Sequence, residues 1–395
     1  MARILLAWEL GHGLGHVTAL RALSDCLSER GHEVIVAGRD LISVRTAFEG
    51  SKVGVLAAPF FPGVFLPPQQ MCSLADVLWF ESAGHSIETF RGLFMSWRHM
   101  FDFIKPDLLV SDAAQVAVAA AASHVPSINY VHGFHSTDAQ AWAVFRDWEQ
   151  IDRSAPERRA EQLLAHLNIV RGEVGLDAVD SLHAGFGADR HLFRCLPEMD
   201  HVGERTGVRY IGQILSRQGV ASSWPGSSDA HRIFMYLRRD YEHVDRLLGA
   251  LQRLDNASVL CFHNGISEHR LPKAAHIAYS TELIDLTSVL PESTLVICHG
   301  GGLHATATQF GKPSVVLPLH TEQFLSARAA EVSGISCLQS PFDGKRPNLL
   351  AMLREALADD VMADRARAAG VAQGQREPDP AAALVDEVEG LVTRG

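Results

Sequence analysis

"LGHGLGHVTALRALSDCLSERGHEV" occupies residues 10–34 and joins two kinds of pattern. Before it, residues 3–8 (RILLAW) form a short apolar run that fits a buried strand. Within it, Val17, Leu20, Leu23 and Leu27 recur at helical spacing, while Arg21, Asp25 and Glu29 fall on other faces. The glycines at 11, 13 and 15 then mark a tight strand-to-helix turn, and His16 falls in the first turn of the helix. Open α/β folds bind ligands at this carboxyl edge of the sheet. A purely structural alternative is a first-turn histidine bonded to backbone.

The same alternation continues outward. Strand-like runs EVIVAG, DLLVSD, SINYVH, IFMYL, SVLCFH, LVICHG and SVVLPL are separated by helical patterns, which predicts parallel sheets with crossover helices. A chain of 395 residues is long for one core, and two domains of roughly 200 residues are expected. The Gly-, Ser- and Pro-rich stretch at 212–232 marks the break. We expect an N-terminal domain over 1–215, a linker over 216–232 and a C-terminal domain over 233–395, with the last helix packing back on the first domain.

Charge and cysteine usage narrow the function. The chain carries 35 basic and 46 acidic side chains, a net −11, with no basic run, which argues against nucleic acid or an anionic membrane as partner. Six cysteines at 26, 72, 195, 261, 298 and 337 form no CxxC pair and read as reduced thiols of a cytoplasmic protein. Residues 3–10 are too short for a secretory core, and 108–122 too short and too polar for a membrane span.

Two simple motifs fail on spacing. A GxGxxG fingerprint would need its third glycine where His16 stands, although Asp40 does follow the second strand. His12 and His16 are four apart like zinc-helix ligands, but Gly13 replaces the glutamate of HExxH.

A second constellation lies at 295–323, LVICHGGGLHATATQFGKPSVVLPLHTEQ. Here a strand ends at Cys298, three glycines follow His299, and a helix starts near His304. Bare amides at a helix N-terminus favour a phosphate, because their N–H groups point outward and the helix dipole attracts an anion. Glu322 and Gln323, beyond the next strand, offer acceptors and donors suited to sugar hydroxyls; the alternative is a capping pair for their own helix.

Taken together these residues resemble the inverting GT-B glycosyltransferases of the UDP-glycosyltransferase superfamily, which include antibiotic, plant natural-product and lipid glycosyltransferases. The N-terminal signature appears as Gly15, His16, Gly31 and His32, and the donor box as His299, Gly300, Gly301, Pro313, Pro318, Glu322 and Gln323. PDLLVSDAA, LNIVRGEVGL and VRYIGQI are weaker colinear echoes. Departures are also plain: the donor box is one residue shorter after its glycines, Thr306 stands where relatives carry a ribose-binding Glu, and Asp285 and Leu286 replace a Pro-Gln pair. Arg238 and Arg239 replace a small turn, and Ala19 replaces a proline.

The resemblance implies an α/β GT-B fold, two Rossmann-like domains facing across a cleft, and transfer of a sugar from a nucleoside diphosphate, UDP or dTDP, to a hydroxyl of a small apolar acceptor. It implies no cofactor beyond that co-substrate and no metal. His16 is the implied general base and Asp112 its partner, although Asp112 also suits the N-cap of a helix over 113–122. Donor contacts are expected from His299, Gly300, Gly301, Gly302, Leu303, His304, Thr306, Glu322, Gln323 and Ile284, with Arg238 adding charge near the diphosphate. Phe65, Trp79, Phe80 and His132 are the expected acceptor residues, with Phe60, Phe61 and His135 nearby in sequence. Trp142, Phe145 and Trp148 are spaced for the core face of a helix. Two other classes use such an architecture: a nucleotide-sugar epimerase and a non-catalytic nucleotide-sugar-binding protein.

Overall fold

The computed structural model describes residues 1–395 except 12, 64–70, 146–151, 216–218, 228, 342–345 and 394–395. Thirteen parallel strands form two sheets among the described residues. The first contains β1 (Arg3–Trp8), β2 (Glu33–Gly38), β3 (Gly54–Ala57), β4 (Leu108–Asp112), β5 (Ser127–Val131), β6 (Arg190–Phe193) and β7 (Arg209–Tyr210), in the order β3-β2-β1-β4-β5-β6-β7. The second contains β8 (His231–Arg238), β9 (Ala257–Asn264), β10 (Ile277–Ser280), β11 (Leu295–Cys298), β12 (Ser314–Val316) and β13 (Ser336–Leu338), in the order β10-β9-β8-β11-β12-β13. The chain reverses direction across the first sheet between β1 and β4, and across the second between β8 and β11. Such switch points leave a crevice beyond the strand ends.

Burial explains why the apolar runs became strands. Ile4, Leu5 and Leu6 of β1 are fully buried, as parallel strands covered on both faces require. The helix Leu14–Glu29 turns Val17, Leu20, Leu23 and Leu27 onto this sheet. It stops at Gly31, whose φ of 81° allows Gly31 N–H to bond Ser28 O and His32 N–H to bond Leu27 O. This is a left-handed C-terminal cap, and it gives the Gly-His pair at 31–32 a structural role. His32 in turn accepts from Ala2 N–H at 3.3 Å.

The chain divides into two compact units, one comprising 1–194, 204–214 and 379–395, the other 195–203 and 215–378. Two details differ from a simple cut near 215. Residues 195–203 group with the second unit, where Ser333 Oγ donates to Glu198 O. Within the expected linker, Val220 forms an isolated parallel bridge with Ile284. The last helix, Pro380–Val392, belongs to the first unit, where it buries Leu384, Val385 and Val388 in the core that holds Leu20 and Leu23. No helix of the described residues is long and apolar enough to cross a membrane.

One helical expectation fails. Residues 141–145 form turns, so Trp142 and Phe145 do not share a helix face. They pack separately, Trp142 against Phe186 and Phe145 against Phe134. Trp148, like His12 and Phe65, lies outside the described residues.

Candidate active site

In the first unit β1 and β4 run in register, so Trp8 lies opposite Asp112 at the sheet's carboxyl edge. The helix after β1 starts at Leu14, and its N-cap, Gly13, has a φ of 101° and offers no side chain. This brings His16 Nδ1 to 3.1 Å from Asp112 Oδ2. The ring is held on three sides: it stacks on Trp8 at 5.3 Å, meets the edge of His135 at 5.9 Å, and covers Gly11. A Cβ on Gly11 would stand 2.4 Å from His16 Nε2, and Gly11 has a φ of 81°. Only glycine fits beneath this imidazole.

Asp112 is almost fully buried and gives its other oxygen, Oδ1, to Arg194 Nη2 at 2.6 Å. Burial raises the carboxyl pKa, but Arg194 and then His16 outweigh it and bring the value down to about 2. An ionised carboxylate only accepts, so His16 Nδ1 carries the hydrogen and a neutral ring presents a lone pair on Nε2. The N-cap alternative for Asp112 does not occur: the next helix is Gln115–Ala121, its N-cap is Ala114, and Ser111 Oγ accepts from Ala114 N–H. Ala113 between them adopts a left-handed φ of 54°, an unfavourable conformation for a residue with a Cβ. Leu10 N–H pins it by bonding Ala113 O at 3.0 Å.

His132 joins the same buried group, where it is 8 % exposed and accepts from Gln213 Nε2 at 3.3 Å. Burial, then the Arg194 charge, holds its imidazole well below the ordinary range. Trp79 and Phe80 lie on the helix Leu74–Glu81, both half-buried, where Trp79 stacks on His166 and Phe80 lies under Arg159. Asp40 caps the helix Leu41–Ala47 by accepting from Ile42 and Ser43 N–H, which gives it a purely structural use.

Two residues of this corner escape sequence reasoning. Arg194 and Glu9 each sit as a lone charge in an apolar run, HLFRCL and AWEL, and that oddity was their signal. Glu9 accepts from Val116 and Ala117 N–H at the start of the helix Gln115–Ala121, and burial pushes its pKa up to about 8.

The second unit repeats the layout with a different outcome. Beyond β11, His299 accepts from Arg238 N–H through Nε2 at 3.0 Å and lies 2.8 Å from Leu317 O through Nδ1. Both ring nitrogens are therefore spent on backbone, and the imidazole ties the ends of β8, β11 and β12 together. Burial lowers its pKa to about 4, against the Leu317 carbonyl, and leaves it neutral.

The helix Gly301–Gln309 follows, with Gly300 as N-cap at a φ of 103° and no side-chain cap. No side chain among the described residues caps its first amides, and Gly300 to Leu303 are half-buried. Gln323 packs against Gly300, where an added Cβ would come within 3.1 Å of it. Its Oε1 accepts from Leu319 N–H at 2.8 Å, so the capping alternative accounts for that atom. Glu322 is half-buried in the first turn of the helix Thr321–Val332.

Other expected donor residues are differently placed. Thr306 is 4 % exposed and donates its hydroxyl to Gly302 O, while the Arg238 guanidinium pairs with Asp240. His304 is fully buried, neither ring nitrogen has a partner among the described residues, and burial lowers its pKa to about 4. Ile284 is buried beside Val220, with Val220 N–H bonding Leu283 O and Asp285 N–H bonding Val220 O.

No protein-family model matches the sequence, and no curated protein matches it. Solved structures match over nearly the whole chain. The calicheamicin glycosyltransferase CalG4 aligns with a TM-score of 0.71 at 19 % identity, covering 100 % of this chain and 98 % of its own. The spinosyn rhamnosyltransferase SpnG in complex with thymidine diphosphate aligns at 0.68 and 19 % identity, covering 98 % and 100 %. SsfS6 of Streptomyces sp. SF2575, also with thymidine diphosphate, aligns at 0.65 and 20 % identity, covering 99 % and 100 %. The chain therefore has the fold of these glycosyltransferases, the GT-B fold, with a doubly wound parallel sheet in each of its two units.

Proposed function

We propose that the protein is an inverting glycosyltransferase that moves a sugar from a nucleoside diphosphate, dTDP or UDP, to a hydroxyl of a small apolar acceptor. The observation that carries this reading is the His16–Asp112 contact in the first unit. A neutral imidazole with its Nδ1 hydrogen committed to a buried carboxylate is prepared to take a proton on Nε2. As the acceptor hydroxyl attacks the anomeric carbon, its proton passes to Nε2 and Asp112 stabilises the imidazolium that forms. The bond from that carbon to the diphosphate oxygen breaks on the opposite face, which inverts the centre.

The departing diphosphate gains negative charge at a bridging oxygen. The amides from Gly301 onward, at the positive end of the helix Gly301–Gln309, suit that charge. His299 supports the same corner by fixing the strand ends. The thymidine diphosphate in the SpnG and SsfS6 structures, and the spinosyn aglycone in another SpnG structure, favour a dTDP-sugar and an aglycone acceptor. Half-buried Trp79 and Phe80 supply apolar surface in the first unit.

The test is a thermal-shift screen of dTDP-, UDP- and GDP-sugars, followed by turnover assays with hydrophobic alcohols and NMR of the product's anomeric configuration. Stabilisation by a dTDP- or UDP-sugar and an inverted product are expected. Epimerised sugar, a retained configuration, or tight binding with no turnover would replace this reading with another.

A further inference from the structure

We propose that Arg194 is a positioning residue of the His16–Asp112 pair: it takes one carboxylate oxygen, supplies that carboxylate's counter-charge, and so keeps His16 neutral with Nε2 open to a proton. This inference rests on the reading of His16 as the base. Its geometry is a division of one carboxylate between two partners, Oδ1 to Arg194 at 2.6 Å and Oδ2 to His16 at 3.1 Å. With one oxygen pinned by a guanidinium, the carboxylate loses the freedom to rotate away from the imidazole.

The placement is built by three strands. Arg194 directly follows β6, and its N–H bonds Val131 O at the end of β5. Its guanidinium lies over the Tyr130 ring at 5.3 Å and reaches the end of β4. Tyr130 is itself fixed, its hydroxyl accepting from Ile214 N–H. Arginine and aspartate are both almost fully buried, so neither has bulk water as an alternative partner.

Charge balance gives the arrangement its chemistry. A buried aspartate needs a nearby positive charge. With Arg194 present that demand is met, and the imidazole need not be protonated. Without it, His16 becomes the nearest group able to supply the charge, and a protonated imidazole accepts no proton. Among the described residues, the other ionisable groups at this pair are His135 against the His16 ring, His132 beside Arg194, and Tyr130 beneath the guanidinium. Glu9 is bonded to the helix start at Val116 and Ala117 instead.

The experiment is NMR titration of the His16 imidazole in the full-length protein, assigned with His16→Gln, for the wild type and for Arg194→Met, Arg194→Gln and Arg194→Lys. His16 should titrate about one pH unit or more higher in the Met and Gln variants, and close to wild type in the Lys variant. Turnover should follow, with the acid limb of kcat moving up by the same amount and the donor KM little changed. Gln keeps a donor without the charge, so it carries the test if Met does not fold. A His16 titration unmoved in folded Met or Gln protein, with transfer intact, overturns this inference and leaves the proposed function standing. A shifted titration in a protein with no transferase activity supports the role of Arg194 and overturns the function.

Discussion

His16 and His299 both stand at the carboxyl edge of a parallel sheet, His16 in the first turn of the helix after β1 and His299 directly after β11, each near a helix start that no side chain caps. What separates them is the partner of the second nitrogen. His16 spends Nδ1 on a carboxylate and no described residue hydrogen-bonds Nε2, whereas His299 spends both nitrogens on main chain. The first arrangement stores a proton-accepting site; the second stores rigidity. On the proposed function, the second unit acts through the glycine amides beside His299 rather than through its side chain.

The sharpest way to break this contrast is to remove each ring. His16→Ala is predicted to lower transfer by roughly 10³-fold while thermal stabilisation by a dTDP-sugar persists. His299→Ala leaves Arg238 N–H and Leu317 O buried without partners, and should cost about 2–4 kcal/mol of stability in urea titrations. Near-normal turnover in the first variant, or an unchanged urea midpoint in the second, would erase the distinction. Gly11→Ala comes next, because its methyl group occupies the space of His16 Nε2. Displacing the ring by about an ångström should reduce kcat roughly 10²-fold, with donor affinity preserved.

Acid sharpens the comparison through linkage. His299 and His304 have folded pKa values lowered to about 4, so they bind fewer protons folded than unfolded. Each contributes stability that is fully present above its unfolded value of about 6.5 and is lost as pH falls towards 4. Asp112, lowered to about 2, loses its contribution only below about pH 4. His304→Leu is therefore expected to raise the melting temperature more at pH 5 than at pH 8, with a difference of about 2 kcal/mol between the two conditions. An equal gain at both pH values would mean that His304 has a partner when folded. The smallest effect is expected of Thr306→Val, since that hydroxyl only returns to Gly302 O: donor KM should stay within about twofold.

How much of this was legible follows from where each signal resides. The buried strands β1, β2, β4, β5, β8, β9, β11 and β12 are continuous apolar runs, and the sequence displays them directly. β3, β6, β7, β10 and β13 are mostly at sheet edges and mix glycine or polar residues into two to four positions, as in RY and SCL, whereas β11 and β12 are as short but extend into the longer apolar runs LVICHG and SVVLPL. His16 and Asp112 could be paired because each ends or follows a visible strand. Arg194 could not, because its partner comes from a strand 82 residues earlier and a lone arginine has no spacing to read. The saturation of His299 was hidden for the same reason, its bonds reaching Arg238 and Leu317 on other strands. Thr306 and Arg238 looked available until local bonds to Gly302 and Asp240 claimed them.

The last helix, Pro380–Val392, seals a core whose other members begin at Ala2. During translation every residue of the second unit leaves the ribosome before this helix does. The later-encoded unit can therefore mature first, while the earlier one waits with a greasy furrow beside the helix Leu14–Glu29 still wet. Nascent chains halted short of residue 380 should consequently be the species that chaperones and proteases recognise.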